Sequence, residues 1–202
     1  MELIKKLRAA TGAGILDSKQ ALDESGGDYD KAVEWLRKKG AASAAKKSDR
    51  EASEGIIASY IHMNRIGVLL ELNCETDFVA RTDEFKQLAN DIAMQVASMN
   101  PLVVSAEQIP AATVEKEREI YRAQMASENK PADVMEKIIE GKVQKWYKDA
   151  CLLQQAFFRD DKKTIQDIIH EAVGKMGENI QVRRFVRFDL SDNAEVKDKV
   201  SL

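Results

Sequence analysis

Residues 66–75, IGVLLELNCE, constrain the fold more than any other part of the chain. Val68, Leu70, Leu72 and Cys74 fall on one side of an extended backbone, and Glu71, Asn73 and Glu75 on the other. Side chains alternate in direction along a strand, so this pattern calls for a sheet with one buried and one wet face. Upstream, GIIASYIH at 55–62 is a second β-rich run, and the intervening MNR reads as a hairpin turn. Downstream, the alternation stops at an acid beside a large aromatic, Asp77-Phe78, before a helix that Thr82 can cap. Pattern alone leaves two readings of that pair. Either Phe78 packs in its own core while Asp77 caps a turn, or the two project toward a partner.

A third run, IQVRRFVRFDL at 180–190, places Ile180, Val182, Val186, Phe188 and Leu190 on one expected face, with Arg184 interrupting it. Between the runs the apolar period changes to that of helices. Phe85, Leu88, Ala89, Ile92, Ala93 and Val96 form a stripe that ends at Asn100-Pro101, and Ile165, Ile168, Ile169, Ala172 and Val173 form another that stops at Gly177. Two helical segments in 113–153 meet at Asn129-Lys130-Pro131, and so short a joint predicts an antiparallel hairpin. That hairpin covers the sheet or meets a partner; the pattern does not decide between them. The expected class is α+β: a three-stranded antiparallel sheet packed with helices, preceded by a small helical module.

That module occupies residues 1–40. Leu3, Ile4 and Leu7 share a face, and Gly12 and Gly14 break the first helix. Asp17, followed by Gln20, has the spacing of a capping box for the second, and Asp28 can cap a third that Gly40 closes. Residues 41–53 are small and basic and read as a solvated linker, stiff where the alanines are helical. The α+β core is expected over 54–190, and 191–202 is a tail with little to bury.

Several kinds of chemistry have no signature here. The chain has no phosphate-loop pattern, and TGAG lacks a third glycine at dinucleotide spacing because Asp17 stands there. The two histidines, His62 and His170, lie in no cluster with zinc-ligand spacing, so no metal or cofactor is expected. Cys74 and Cys151 lie far apart in apolar surroundings and read as reduced and buried. A net charge of −3 argues against direct nucleic-acid binding, although Arg183, Arg184 and Arg187 alternate with Phe185 on one strand. No stretch approaches the ~20 apolar residues of a membrane span, and the start has no secretory pattern. The reading is a soluble cytoplasmic protein, and an interaction protein rather than an enzyme.

Three further passages carry a resemblance. LRAATGAGILDSKQAL, GDYDKAVEWLRKKG and AAKK resemble the N-terminal module of the bacterial translation elongation factor Ts family, GVLLELNCETDFVAR its core signature, and GENIQVRRFVRF its closing strand. Together they span nearly the whole chain, in the family's order. The resemblance implies a ubiquitin-associated-like three-helix module, a linker and an α+β core, with guanine-nucleotide exchange on elongation factor Tu as the activity. It implies the short form of the family, with one core half, paired as a homodimer through the core sheet. Val186 stands where some members carry a linking cysteine, so no disulfide is expected there.

By resemblance, Thr76, Asp77, Phe78, Val79, Ala80 and Arg81 reach the partner's nucleotide domain near its Mg²⁺ site. Phe78 is the wedge, and Asp77 disturbs the polar network around the metal without ligating it. Thr11, Gly12, Ala13, Gly14, Ile15 and Leu16 are expected to dock on the same domain, although Ile15 and Leu16 could equally close the module's own core. His62, in the hairpin turn, resembles an interface position and is otherwise a solvated residue. A stand-alone interaction protein with the core as scaffold is the alternative from another class.

Overall fold

The expected hairpin forms. β1 (Glu54–His62) and β2 (Ile66–Cys74) pair antiparallel, from Glu54 opposite Cys74 to His62 opposite Ile66. Met63 and Asn64 take positive φ of 48° and 55° in the turn, the pair of left-handed residues whose twist suits two-strand connections. β5 (Gln181–Asp189) lies antiparallel on the other edge of β2, giving the order β1-β2-β5. This computed structural model describes residues 1–125 and 131–192; all but the first two residues of the expected tail and most of the helical-hairpin joint lie outside them.

Val68, Leu70, Leu72 and Cys74 are buried as the alternation required. They meet Phe85, Ala89, Ile92, Ala93 and Val96 of α5 (Asp83–Met99), and Ile165, Ile169 and Val173 of α8 (Ile165–Met176). Thr82 caps α5 by accepting from the Phe85 N–H, and Asn100 ends it in the left-handed region. Thr164 and Asp167 form a reciprocal capping box on α8. Both cysteines are free and buried. Burial, with the nearby Glu178 charge adding to it, pushes the Cys74 thiol up to about 11.

Two expectations about the sheet are corrected. Asn73 is not on a wet face: it is only 4% exposed, and its Nδ2 donates to the Ala52 carbonyl at 3.1 Å. The chain leading into β1 folds over that side and covers it. The second correction concerns β5. Arg184 stands opposite Glu71 and Val182 opposite Leu72, so Arg183 is an extra residue, a bulge. A one-residue insertion inverts the facing of all that follows. Val182 points inward, but beyond the bulge the inward residues are Phe185 and Arg187, while Val186 and Phe188 point outward and Leu190 is exposed. Arg187 is satisfied there by Asp189 at 2.6 Å and by the Ala97 carbonyl at 3.3 Å. The Asp189 carboxyl is held down at about 2, chiefly by hydrogen bonds from Ser191 and then by Arg187. Arg183 and Arg184 both reach Glu71, so the three arginines form no basic stripe.

The module is built from α1 (Glu2–Thr11), α2 (Ile15–Glu24) and α3 (Tyr29–Ala45) around Leu7, Ala21, Leu22, Ala32 and Leu36. Asp28 caps α3 by accepting from the Lys31 N–H at 3.1 Å. Asp17 does not cap α2, which starts after Gly14. It sits instead in the first turn, where a carboxylate suits the helix dipole, and accepts from Lys39 at 2.8 Å. Nor does Gly40 close α3, which continues to Ala45. The reason is tertiary: α3 packs along α8, and a β-carbon on Gly40 would lie 3.8 Å from the His170 carbonyl. Arg37 donates two parallel hydrogen bonds, both 3.0 Å, to the Asp167 carboxylate, and Ala44 joins the main core. The start of the expected solvated linker is therefore docked helix.

α6 (Ala111–Met125) and α7 (Ala132–Ala150) make the helical hairpin, and their ion pairs fix its sense. Arg118 pairs with Glu136 and Glu140, and Arg122 with Glu136, so the two helices run in opposite directions. Met125, Ile139 and Val143 form a core of their own, separate from the sheet's. A small second hairpin, β3 (Ala156–Phe157) with β4 (Asp160–Thr164), was not expected. Its strands are too short and too polar to show a period.

Gly55 leaves the least room for change in the sheet. A β-carbon there would stand 2.2 Å from the Leu72 carbonyl oxygen, at a φ of 154°. Gly55→Ala is expected to lower stability by at least ~2 kcal/mol, the scale of overpacking, read as a drop in the urea midpoint with an unchanged slope. Neither thiol is expected to react with iodoacetamide at pH 8 in the native protein, because Cys74 is protonated there and both are enclosed; both react after denaturation.

Candidate functional site

The boundary after β2 resolves into a single turn of helix, α4 (Asp77–Ala80). Thr76 caps it, its hydroxyl accepting from the Val79 N–H at 3.4 Å. The inward positions are taken by Ala80, which is buried, and by Val79, which packs against the core. That leaves Phe78 on the outside, 79% exposed. Of the two readings open to the pattern, packing of Phe78 in its own core is excluded. Asp77 pairs with Arg81 one turn on, at 2.8 Å, with Arg81 largely in solvent and Asp77 partly so. Such an exposed pair is weak and easily exchanged for another partner. Thr82 closes the segment from the far side, donating to the Val79 carbonyl at 2.8 Å while it caps α5.

Side chains far away in sequence hold this turn in place. Gly177 ends α8 with a left-handed φ of 80°, and the chain doubles back to present Glu178 and Asn179. The Glu178 carboxylate accepts from the N–H groups of Glu75 and Thr76, at 3.1 and 3.0 Å, and from the Thr76 hydroxyl at 2.6 Å. In return the Asn179 N–H donates to the Glu75 carboxylate at 2.6 Å. Asn179 Nδ2 reaches the carbonyls of Ser48 and Arg50, which ties down the segment below α3. The reading of the sequence did not find these contacts. The signals for them were Gly177, a helix stop followed at once by an acid and an amide, and the place of Glu178 and Asn179 in the GENI passage that carries the resemblance.

The second predicted segment lies at the α1–α2 corner. Thr11 donates to the Leu7 carbonyl at 2.7 Å and accepts from the Ala13 N–H at 3.3 Å, which shapes the loop. Gly12 ends α1 and Gly14 precedes α2. Ala13 packs against the module core, whereas Ile15 and Leu16 are exposed, Leu16 by 81%. They therefore do not close that core. A methyl group on Gly12 would lie 3.4 Å from the Lys175 side chain, whose ammonium pairs with Glu84 at 2.6 Å. One lysine thus spans the distance from the TGAG loop to the first turn of α5, so the two predicted segments share one end of the molecule. Behind the loop, between α3 and α8, lies a cleft of about 370 Å³. Charged groups of its lining pair with one another, Lys39 with Asp17 and Lys163 with Glu171.

His62 is not brought to this end. It is the last residue of β1, exposed, with Nδ1 3.1 Å from the Tyr60 hydroxyl. The length of β2 separates it from Thr76, about 27 Å at ~3.3 Å per residue. It shares a face of β1 with Tyr60, on the core side at the hairpin end, and on the opposite, outer face of the sheet Ile57, Ile61, Leu69, Val186 and Phe188 are exposed. Among the described residues no group of three or more His, Cys, Asp or Glu side chains could hold a metal ion, and no helix is long and apolar enough to cross a membrane.

Comparison with known proteins places this geometry in a family. The family model described as "Elongation factor TS" matches residues 43–174, which hold the sheet's first two strands, α4, α5 and most of α8. The chain is 58% identical over 196 residues to elongation factor Ts of Thermotoga petrophila, covering 96% of this chain and 98% of that protein. It is 58% identical over 192 residues to elongation factor Ts of Fervidobacterium nodosum, with 95% and 98% covered. Against elongation factor Ts of Thermodesulfovibrio yellowstonii it is 56% identical over 194 residues, with 96% and 97% covered. At that identity and coverage the chain belongs to the elongation factor Ts family, a family of translation elongation factors.

Proposed function

We propose that this chain is a guanine-nucleotide exchange factor. It binds elongation factor Tu carrying GDP, disturbs the Mg²⁺ and phosphate site, and promotes GDP release so that GTP can rebind during elongation. The observation that carries the reading is Phe78: a large aromatic, 79% exposed, on a turn anchored from both sides, with an acid beside it. A monomeric core has no use for that arrangement. A partner with a matching slot does, since a buried aromatic anchor is worth about 2 kcal/mol or more at an interface.

The mechanism needs no bond to form or break. A GTPase grips its nucleotide through backbone amides and a bound Mg²⁺. The factor must bind the emptied GTPase more tightly than the loaded one, and by linkage nucleotide then weakens the factor to the same degree. A ~10⁴-fold loosening requires about 5.5 kcal/mol of differential binding. Phe78 supplies apolar contact available only when the partner's elements part. Asp77, released from its exposed pair with Arg81, adds a negative charge where the metal's polar network lies. It acts there by hydrogen bonding or repulsion and not as a ligand. Ile15 and Leu16, at the same end of the molecule, supply a second contact on the partner's nucleotide domain.

The outer sheet face supports pairing of two copies. Ile57, Ile61, Leu69, Val186 and Phe188 form an apolar surface of a kind soluble monomers seldom leave open. A two-fold axis would bring each residue of the patch against the same patch. With Val186 at the strand centre, this contact is packing without a disulfide.

Wild-type chain is expected to accelerate release of labelled GDP from elongation factor Tu at substoichiometric concentration; tight binding without acceleration would leave an interaction protein instead. Phe78→Ala is expected to lower kcat/KM for release by about 30-fold, the equivalent of ~2 kcal/mol. Its melting temperature should stay near the wild-type value, since exposed substitutions seldom move stability by more than ~0.5 kcal/mol. Phe188→Asp is expected to convert a dimer to a monomer in sedimentation equilibrium, and a wild-type monomer at micromolar concentration would reject the sheet pairing.

A further inference from the structure

α4 is one turn long, and a helix of that length has no stability of its own in water, because nucleation costs more than a single turn returns. Something outside it must fix where Phe78 and Asp77 point. The flanking strand fixes residue 74 and the α5 cap fixes residue 82, and between them the amides of Glu75 and Thr76 find their acceptor outside the local chain. Those are the two groups that donate to Glu178. The Thr76 hydroxyl donates to the other Glu178 oxygen, which leaves its lone pairs turned toward the Val79 N–H. Glu178 thus sets the rotor of the capping hydroxyl as well as the backbone beneath it.

We propose that Glu178 is a positioning residue for exchange: it touches no partner and acts through Thr76 to hold the Asp77-Phe78 turn in its projecting geometry. The clamp is reciprocal, since Asn179 follows it and donates to Glu75, so the two segments are stapled in both directions across 102 residues of sequence. Three donors converge on one carboxylate, and no neutral side chain of the same shape can accept from all three. In glutamine an NH₂ replaces one oxygen and meets either the two amides or the hydroxyl. The proposal rests on the exchange reading for its effect on GDP release, but the clamp itself is a property of the free chain.

The test is Glu178→Gln in the full chain, read in two ways. In hydrogen–deuterium exchange of the free protein, either the Glu75 and Thr76 amides or the Val79 amide should exchange about tenfold faster or more, according to whether the glutamine NH₂ faces the two amides or the capping hydroxyl. Amides within the β1–β2 ladder should stay unchanged. In GDP release, kcat/KM should fall between about tenfold and a hundredfold. In a background already carrying Asp77→Ala and Phe78→Ala, the same substitution should lower it no further, within about twofold, because residues acting through one element are not additive. Unchanged amides at 75, 76 and 79, or a full further loss in that background, overturns the proposal. Should Glu178→Gln fail to fold, Thr76→Val removes one of the three donors and must show the same pattern in milder form. If wild-type chain does not accelerate release at all, the exchange reading fails, and the amide exchange still decides the clamp.

Discussion

β5 is added to β2 across more than a hundred residues of chain, and each part of that pairing controls something else. Its approach carries Glu178 and Asn179, which fasten the end of β2. Its bulge at Arg183 decides which side chains enter the core. Its far end places Arg187 inside, where Asp189 and the Ala97 carbonyl satisfy it. A buried guanidinium without such partners would be strongly destabilising. The strand therefore joins β2 to α5 by packing and by charge, and without it β1 and β2 would be a lone hairpin, marginal in water.

A second joint fixes the module to the core. Three helices in forty-five residues bury little, and a unit of that size is marginal alone. Here α3 outlasts its own bundle and lies along α8, with Arg37 forked on Asp167 and Gly40 facing the His170 carbonyl. Asp167 serves two purposes, since the carboxylate that closes the α8 capping box also receives Arg37. Burial raises the Asp167 carboxyl, but hydrogen bonds from Thr164 and the Arg37 charge outweigh it and hold the group below the usual range. The fork therefore persists at neutral pH and weakens only in acid, as the carboxyl takes up a proton.

Local rules were readable where they depend on a few neighbouring residues. Asp28 and Thr82 cap as their positions suggested, the hairpin turns at Met63-Asn64, and the stripe from Phe85 to Val96 faces the sheet. Readings failed where one residue changes the count or a distant group changes the environment. A period of two read straight through Arg183 puts Val186 and Phe188 inside, and the bulge turns them out. Gly40 looked like a stop because the His170 carbonyl it faces lies far along the chain. Asn73 looked wet because Ala52, which covers it, belongs to a segment read as solvated. In the candidate site, the break at Asp77-Phe78 was visible as a clash of residue types, but its direction was not. Only the packing of Val79 and Ala80 excludes Phe78 from the core, and only the fold brings Glu178 beneath Thr76.

Rigidity at this site follows from what proposed exchange demands. A factor that works by differential binding gains nothing from contacts equally strong in both partner states. Any binding free energy diverted into ordering its own turn is lost from the difference that expels nucleotide. A single helical turn left to itself would be ordered only on docking. Here it is held by Glu178 on one side and closed by Thr82 on the other, so it is already formed in the free chain. The packing of α3 on α8 extends the same logic, because it seats the module on the core and so sets Ile15 and Leu16 relative to the wedge, with Lys175 reaching from the TGAG corner to Glu84. Two contacts held at a fixed separation act as one, the second forming at the high effective concentration set by the first. Under the exchange proposed here, the mobile parts would belong to the GTPase, and the factor would act as a shape it must open to fit.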